Sequence, residues 1–304
     1  MLYKQAFLRL KWLDIAKGIA IILMVIGHTS IPDIFSRFIF AFHMPLFFIA
    51  SGWTTNWGKY SFMVFAKSKF KSIMVPFIIY SLIVLSVQTI LIGGGNIYDW
   101  LMYGWQGYAL WFIPVLFVAS ILGRLIHIVH SSFFHYVMMT VFVFLGFLLK
   151  RIDLYLPWTL CSVPLACFFV LLGTELKKIQ YFIVLPRLWL FAGCFIITFV
   201  ISHFWKLDMA WNNVIPVLPL ILGAVAGSVM LFSLSSYIER YTVIASKVLS
   251  NIGKETFVIV AFSQLIIMLL RRYTLLHSAT CYLLLIVILT IIITIKKSIK
   301  RIIR

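Results

Sequence analysis

Four residues of this 304-residue chain have types and spacing suited to chemistry: Asp14, Lys17, His28 and His43. They interrupt DIAKGIAIILMVIGHTS and FAFHMPLFFIASG, segments otherwise apolar enough to cross a bilayer. A titratable side chain in hydrocarbon costs free energy unless it faces a protein cavity or a partner. With a helical rise of about 1.5 Å per residue, Asp14, Lys17, Ile21, Met24 and His28 share one stripe. Asp14 and Lys17 are spaced i, i+3 and can pair. His28 lies roughly 16 Å beyond Lys17, towards the opposite end. His43 follows a hairpin near Ile31–Ser36, so an antiparallel return brings it to the depth of His28. An imidazole there can take a proton from a hydroxyl, or accept a group covalently. Pro45 removes a backbone hydrogen bond beside His43 and is expected to break the helix. An interfacial ion pair accounts for Asp14 and Lys17 as well as a functional role does. A single histidine can simply join two helices; two at matched depth favour a site.

Three further groups invite a role. Lys67, Lys69 and Lys71, in FAKSKFKSIMVP, can hold anionic phosphates or only anchor the chain at the inner membrane surface. Trp100, Tyr103, Trp105, Tyr108 and Trp111 offer faces on which a sugar can stack, although an interfacial aromatic belt explains each singly. Arg271 and Arg272 form a basic pair at the outer surface, suited to an anionic acceptor or a lipid phosphate.

The elements that must position these groups are helices. The chain is 63% hydrophobic and 11% charged, with a mean hydropathy of +1.08. That composition excludes a soluble domain and indicates an all-α polytopic integral membrane protein. Apolar runs of spanning length predict about ten transmembrane helices, near 12–31, 37–55, 72–92, 109–128, 133–149, 158–174, 187–204, 214–235, 256–270 and 279–295. The run 158–174 is short enough to be re-entrant. Residues 1–304 read as a single transmembrane domain, without linker or repeat. No cleavable signal peptide is evident. The net charge of +18 does not indicate nucleic acid, because the basic residues sit in short clusters between apolar runs. Placing both termini in the cytoplasm puts 20 of the 26 Lys and Arg inside. Cys161, Cys167, Cys194 and Cys281 fall in apolar runs without metal-ligand spacing, so they read as core residues and no metal is expected.

Taken in order, these motifs resemble membrane acyltransferase family 3, and especially its fucose 4-O-acetylase-like branch. Asp14, Lys17 and His28 match the family's D-x-x-K/R…H. FHMPLFFIASG is similar to its second signature, and Lys67–Pro76 to its basic cytoplasmic segment. LWFIPVLF, FFVLLGTELKK and NIGKETFVIVAF are also family-like. Ser263 stands where many relatives carry a histidine, and lysines replace arginines in the basic segment.

The resemblance implies transfer of an acetyl group from acetyl-CoA, as co-substrate, to a sugar hydroxyl of a cell-surface polysaccharide or lipid-linked precursor in a bacterial cytoplasmic membrane. In that reading His28 is the reactive group and His43 positions the acceptor or donates to the thioester oxygen. Asp14 and Lys17 orient or stabilise charge along the cleft. Lys67, Lys69 and Lys71 hold the donor, while Trp105, Trp111 and Arg271 meet the acceptor. The competing class is a sugar-lipid transporter or flippase, since proton-coupled carriers also bear intramembrane titratable residues. Carriers usually contain related repeats, whereas the DxxK…H…HMP block occurs once.

Overall fold

The computed structural model describes residues 10–302, apart from 30, 92, 94–95, 104–108, 155, 185–186 and 274–277. Among the described residues the fold is helical and has no strand beyond one isolated bridge, Asp208 to Asn213. The helices are α1 Lys11–Gly27, α2 Asp33–Thr54, α3 Phe62–Lys69, α4 Val75–Leu91, α5 Ile97–Tyr103, α6 Phe112–Ile128, α7 Ser132–Arg151, α8 Val163–Lys178, α9 Gln180–Val184, α10 Leu188–Phe204, α11 Val217–Tyr241, α12 Val243–Lys254, α13 Thr256–Tyr273 and α14 Ser278–Ile302.

Eight helical stretches are long and apolar enough to cross a membrane, and α10 is a shorter apolar helix. With α1, a 17-residue helix interrupted by Asp14 and Lys17, they occupy all ten predicted windows. The stretch Pro157–Lys178 is 22 residues long and apolar enough to cross a membrane, although it is kinked at Trp158 and Thr159 and its α-helical part is the 16 residues Val163–Lys178. One spanning stretch, Phe62–Leu91, contains a π-helical turn at Phe70–Met74 that joins α3 to α4.

The chain packs in lipid, where apolar side chains gain little by meeting one another. Close backbone approach supplies the attraction instead. Gly52 of α2 lies against the Val170 carbonyl of α8, and Gly173 of α8 against the Ile49 carbonyl of α2. The same reciprocal arrangement joins α1 to α12: Gly18 meets the Leu249 carbonyl and Gly253 meets the Asp14 carbonyl. A Cβ at any of these four positions would overlap a carbonyl oxygen. Aromatic edges lock the same region, where Trp12 of α1, Trp53 of α2 and Phe232 of α11 meet in T-shaped pairs at 5.2–5.7 Å. We call this end, where α1 begins, the inner end.

Three local features depart from the sequence reading. Helix α1 ends at Gly27 rather than near 31, and His28 is its C-cap. The helix stops where Gly27 packs against Ile39 and Phe40 of α2, a tertiary contact that apolar length does not report. Helix α2 runs unbroken through Pro45. Helix α12 has no counterpart among the ten apolar runs. Its buried positions are Ser246, Ser250 and Gly253, while Val243, Ile244 and Val248 are exposed. Its small polar face meets protein and its apolar face meets the surroundings, an arrangement suited to lipid.

The glycine crossings generate a prediction. Gly173→Ala should destabilise the detergent-solubilised protein by about 1–3 kcal/mol, the usual cost of overpacking. Gly193→Ala, in α10 with no atom within 4 Å of a new Cβ, should leave stability within about 0.5 kcal/mol. Comparing the thermal unfolding of the two variants checks this.

Candidate functional site

The two histidines predicted to share a cavity are neighbours. Their ring centroids lie 6.4 Å apart at an interplanar angle of 86°. Phe40 packs beside both, 5.2 Å from His28 and 5.0 Å from His43. Each ring is tied to its own helix: His28 Nδ1 lies 2.7 Å from the Met24 carbonyl, and His43 Nδ1 lies 2.9 Å from the Ile39 carbonyl. A carbonyl oxygen only accepts, so Nδ1 carries the hydrogen in each contact. In the neutral tautomer this leaves the Nε2 lone pair of His28 available as a base.

The two histidines differ in access. His43 is buried, whereas His28 is open. His28 lines a pocket of about 280 Å³ with Gln264, Ile267, Met268 and Arg271. The Gln264 Nε2 is buried and has no hydrogen-bond partner among the described residues. Ser263, which stands where a histidine was anticipated, is fully buried, and its Oγ also lacks a partner.

Asp208 was missed by the sequence reading. It lies between α10 and α11, and its charge acts on His28. Backbone amides of Ala210 and Trp211 donate to its carboxylate. Lys206 Nζ sits 5.4 Å from the Phe40 ring centroid, on the same side of the site. Burial pushes the Asp208 carboxyl above its ordinary range, against the opposing pull of Lys206 and the two amides. The available signal was scarcity: the chain has only 8 acidic residues, so each is worth locating.

The other anticipated residues lie apart from this pocket. Asp14 and Lys17 form an ion pair at 2.7 Å, roughly 16 Å of helix from His28 when measured from Lys17. Lys67 and Lys71 are exposed on α3 and the π turn. Lys69 Nζ reaches Thr55 Oγ1 at 3.4 Å and lies 5.6 Å from the Phe65 ring centroid. Trp111 is buried at the start of α6 and does not line the His28 pocket. Trp105 lies outside the described residues. Of the proposed acceptor residues that the structure describes, Trp111 and Arg271, only Arg271 lines the pocket.

A second polar cluster was also missed. His127 stacks on Trp57 with centroids 4.5 Å apart, and meets His135 edge-on at 5.0 Å. Glu175 receives Tyr136 Oη at 2.8 Å and Lys178 Nζ at 2.8 Å, and lies 3.3 Å from His135 Nε2. The carboxylate accepts from Tyr136 and Lys178, and His135 Nε2 lies beside it without a hydrogen bond among the described residues, an arrangement suited to tying α7 to α8.

A family model described as an acyltransferase domain matches residues 10–296. No curated protein matches the chain, and no solved structure does.

Asp208 yields a prediction whose sign follows from its raised pKa. A carboxyl held above its unfolded value lowers stability as pH rises through its folded pKa; below the unfolded value, about 3.9, that cost is absent. Asp208→Asn should therefore be at least as stable as the parent at pH 8, with any gain shrinking towards pH 4. Its acyl-transfer rate at pH 8 should nevertheless fall, because the charge that steadies a protonated His28 is gone. Melting curves and rates at both pH values check the two halves separately.

Proposed function

We propose a reaction from one premise: the chain belongs to acyltransferase family 3, and is a multi-pass membrane acyltransferase. In this reading it acts like the fucose 4-O-acetylase-like branch. It transfers an acetyl group from acetyl-CoA to a sugar hydroxyl of a cell-surface polysaccharide or its lipid-linked precursor, in the cytoplasmic membrane of a bacterium. The observation that carries the reading is His28, with Nδ1 held by Met24 and Nε2 left free in an open pocket.

A sugar hydroxyl is a poor nucleophile at neutral pH, and a positioned base removes its proton in the transition state. The hydroxyl oxygen attacks the thioester carbonyl while His28 Nε2 takes the proton. A C–O bond forms, the C–S bond then breaks, and the proton passes to the departing thiolate. Free coenzyme A and an O-acetyl sugar result. Asp208 stabilises the transient imidazolium, and the Gln264 amide donates to the carbonyl oxygen or to the sugar. His43, behind His28, holds the reactive ring in place. Lys67, Lys69 and Lys71 receive the donor's phosphates at the inner end. Asp14 and Lys17 stabilise charge along α1 without touching the reacting atoms.

In a second variant His28 Nε2 attacks the thioester itself, the thiolate departs, and the acetyl group then passes from His28 to the sugar hydroxyl.

Protein reconstituted in liposomes with acetyl-labelled coenzyme A and a glycan acceptor tests the proposal. Release of free coenzyme A and labelling of glycan should fall by about 10²–10⁴ in His28→Ala, the usual contribution of a general base. Label trapped on the parent protein establishes the covalent variant. Absence of thioester turnover by the parent protein overturns the enzyme reading in favour of a sugar-lipid carrier.

A further inference from the structure

The His28 pocket has a larger neighbour. A groove of about 880 Å³ runs between α1 and α14, floored by α12 and α13. Its outer end is marked by Thr29, Arg271 and Tyr282, and its inner end by Val248, Asn251 and Ile293. The volume falls in the range of roughly 300–1,000 Å³ typical of ligand sites. The walls between the ends are almost wholly aliphatic, from Ile22 and Val25 on α1 to Ile286 and Leu289 on α14. Ile22, Ile26 and Ile286 are 36%, 40% and 60% exposed, so the groove opens sideways at membrane depth.

Arg271 belongs to both spaces: it closes the outer end of the groove and lines the His28 pocket. It is exposed and pairs with no carboxylate among the described residues. A guanidinium grips phosphate oxygens in two parallel hydrogen bonds. Beyond it, within the same small pocket, stand the free Nε2 of His28 and the unpartnered amide of Gln264. The order along the surface is therefore apolar wall, cation, hydrogen-bond donor and base.

We propose that this groove receives the tail of a lipid-linked sugar acceptor, an isoprenoid phosphate glycan, which reaches His28 laterally from the membrane. The tail lies against α1 and α14, the phosphate sits on Arg271, and the first sugar enters the pocket. Gln264 donates to a sugar oxygen, which aims a hydroxyl at His28 Nε2. A phosphate-bearing lipid satisfies both halves of the site, because its apolar and anionic parts are joined at a fixed distance. A free polysaccharide satisfies only the small pocket. The assignment rests on the acyltransferase reading for its chemistry, but the groove itself can be tested without turnover.

Two measurements on the full-length reconstituted protein decide the matter. The first uses geranylgeranyl phosphate carrying a photoactivatable diazirine near the tail end. Labelling should fall on the α1 and α14 peptides, and a sugar-linked isoprenoid phosphate should compete it away. Arg271→Gln should reduce it about tenfold. Equal labelling by a diazirine alkane or by phosphatidylglycerol would mean ordinary surrounding lipid and would overturn the proposal. The second compares acceptors in the acetyl-transfer assay. Arg271→Gln and Ile286→Trp should each raise KM about tenfold for a geranylgeranyl-phosphate-linked sugar, and Ile286→Trp, which lies in the groove and outside the His28 pocket, should leave kcat and the KM of a tail-less sugar unchanged. Equal use of both acceptors by the parent protein, with neither variant altering KM, would also overturn it. Groove labelling without any acetyl transfer would leave the lipid site standing and remove the enzyme reading instead.

Discussion

Backbone touching backbone is the constraint on which the rest of this protein depends. In water, a helix pair is held by removal of apolar surface from solvent. In a bilayer that gain is small, since lipid tails are as apolar as leucine. What remains is dispersion, which falls steeply with distance. The two reciprocal glycine crossings, α2 with α8 and α1 with α12, bring carbonyls within reach of the facing backbone. They fix register as well as proximity, because only one axial position places each glycine opposite its carbonyl. The α1–α12 crossing falls at Asp14 and Gly18, so the late NIGK segment is pinned to the early DxxK segment. Two motifs far apart in sequence are one structural unit.

The polar groups divide into separate stations. His28, His43, Asp208, Gln264 and Arg271 gather at the outer end, while Asp14 with Lys17, and the lysines of α3 and the π turn, lie inward. Glu175 is held by Tyr136 and Lys178 in a cluster that ties α7 to α8, and His135 Nε2 beside it makes no hydrogen bond among the described residues. In the outer pocket the unpartnered Gln264 amide stands beside an open histidine. A buried donor without a partner costs free energy, and a ligand oxygen can recover it.

Much of this was legible in the sequence. The spanning helices were readable because bilayer thickness sets a minimum apolar length. His28 and His43 were readable because a titratable group in an apolar run has few reasons to be there. The missing parts share a cause. Helix α12 is too short for an apolar count, and it hides serines and glycine while exposing valine and isoleucine. Asp208 lies in the loop between α10 and α11, where an aspartate is unremarkable until the fold brings its charge to bear on His28. Gln264 is ordinary by type, and only its lack of a partner distinguishes it. The early end of α1 depends on the packing of Gly27 against α2, and a window sized to the bilayer carried the helix past it.

The π turn at Phe70–Met74 has a mechanical consequence. A π turn holds one residue more than an α turn, so the helix beyond it is advanced by about 100° relative to a regular helix. Lys69 and Lys71 flank the bulge or lie within it, so the one extra residue sets where each stands around the axis relative to the membrane-crossing half of the span. One surplus residue thus fixes the angular offset between the basic segment and the rod that continues from it.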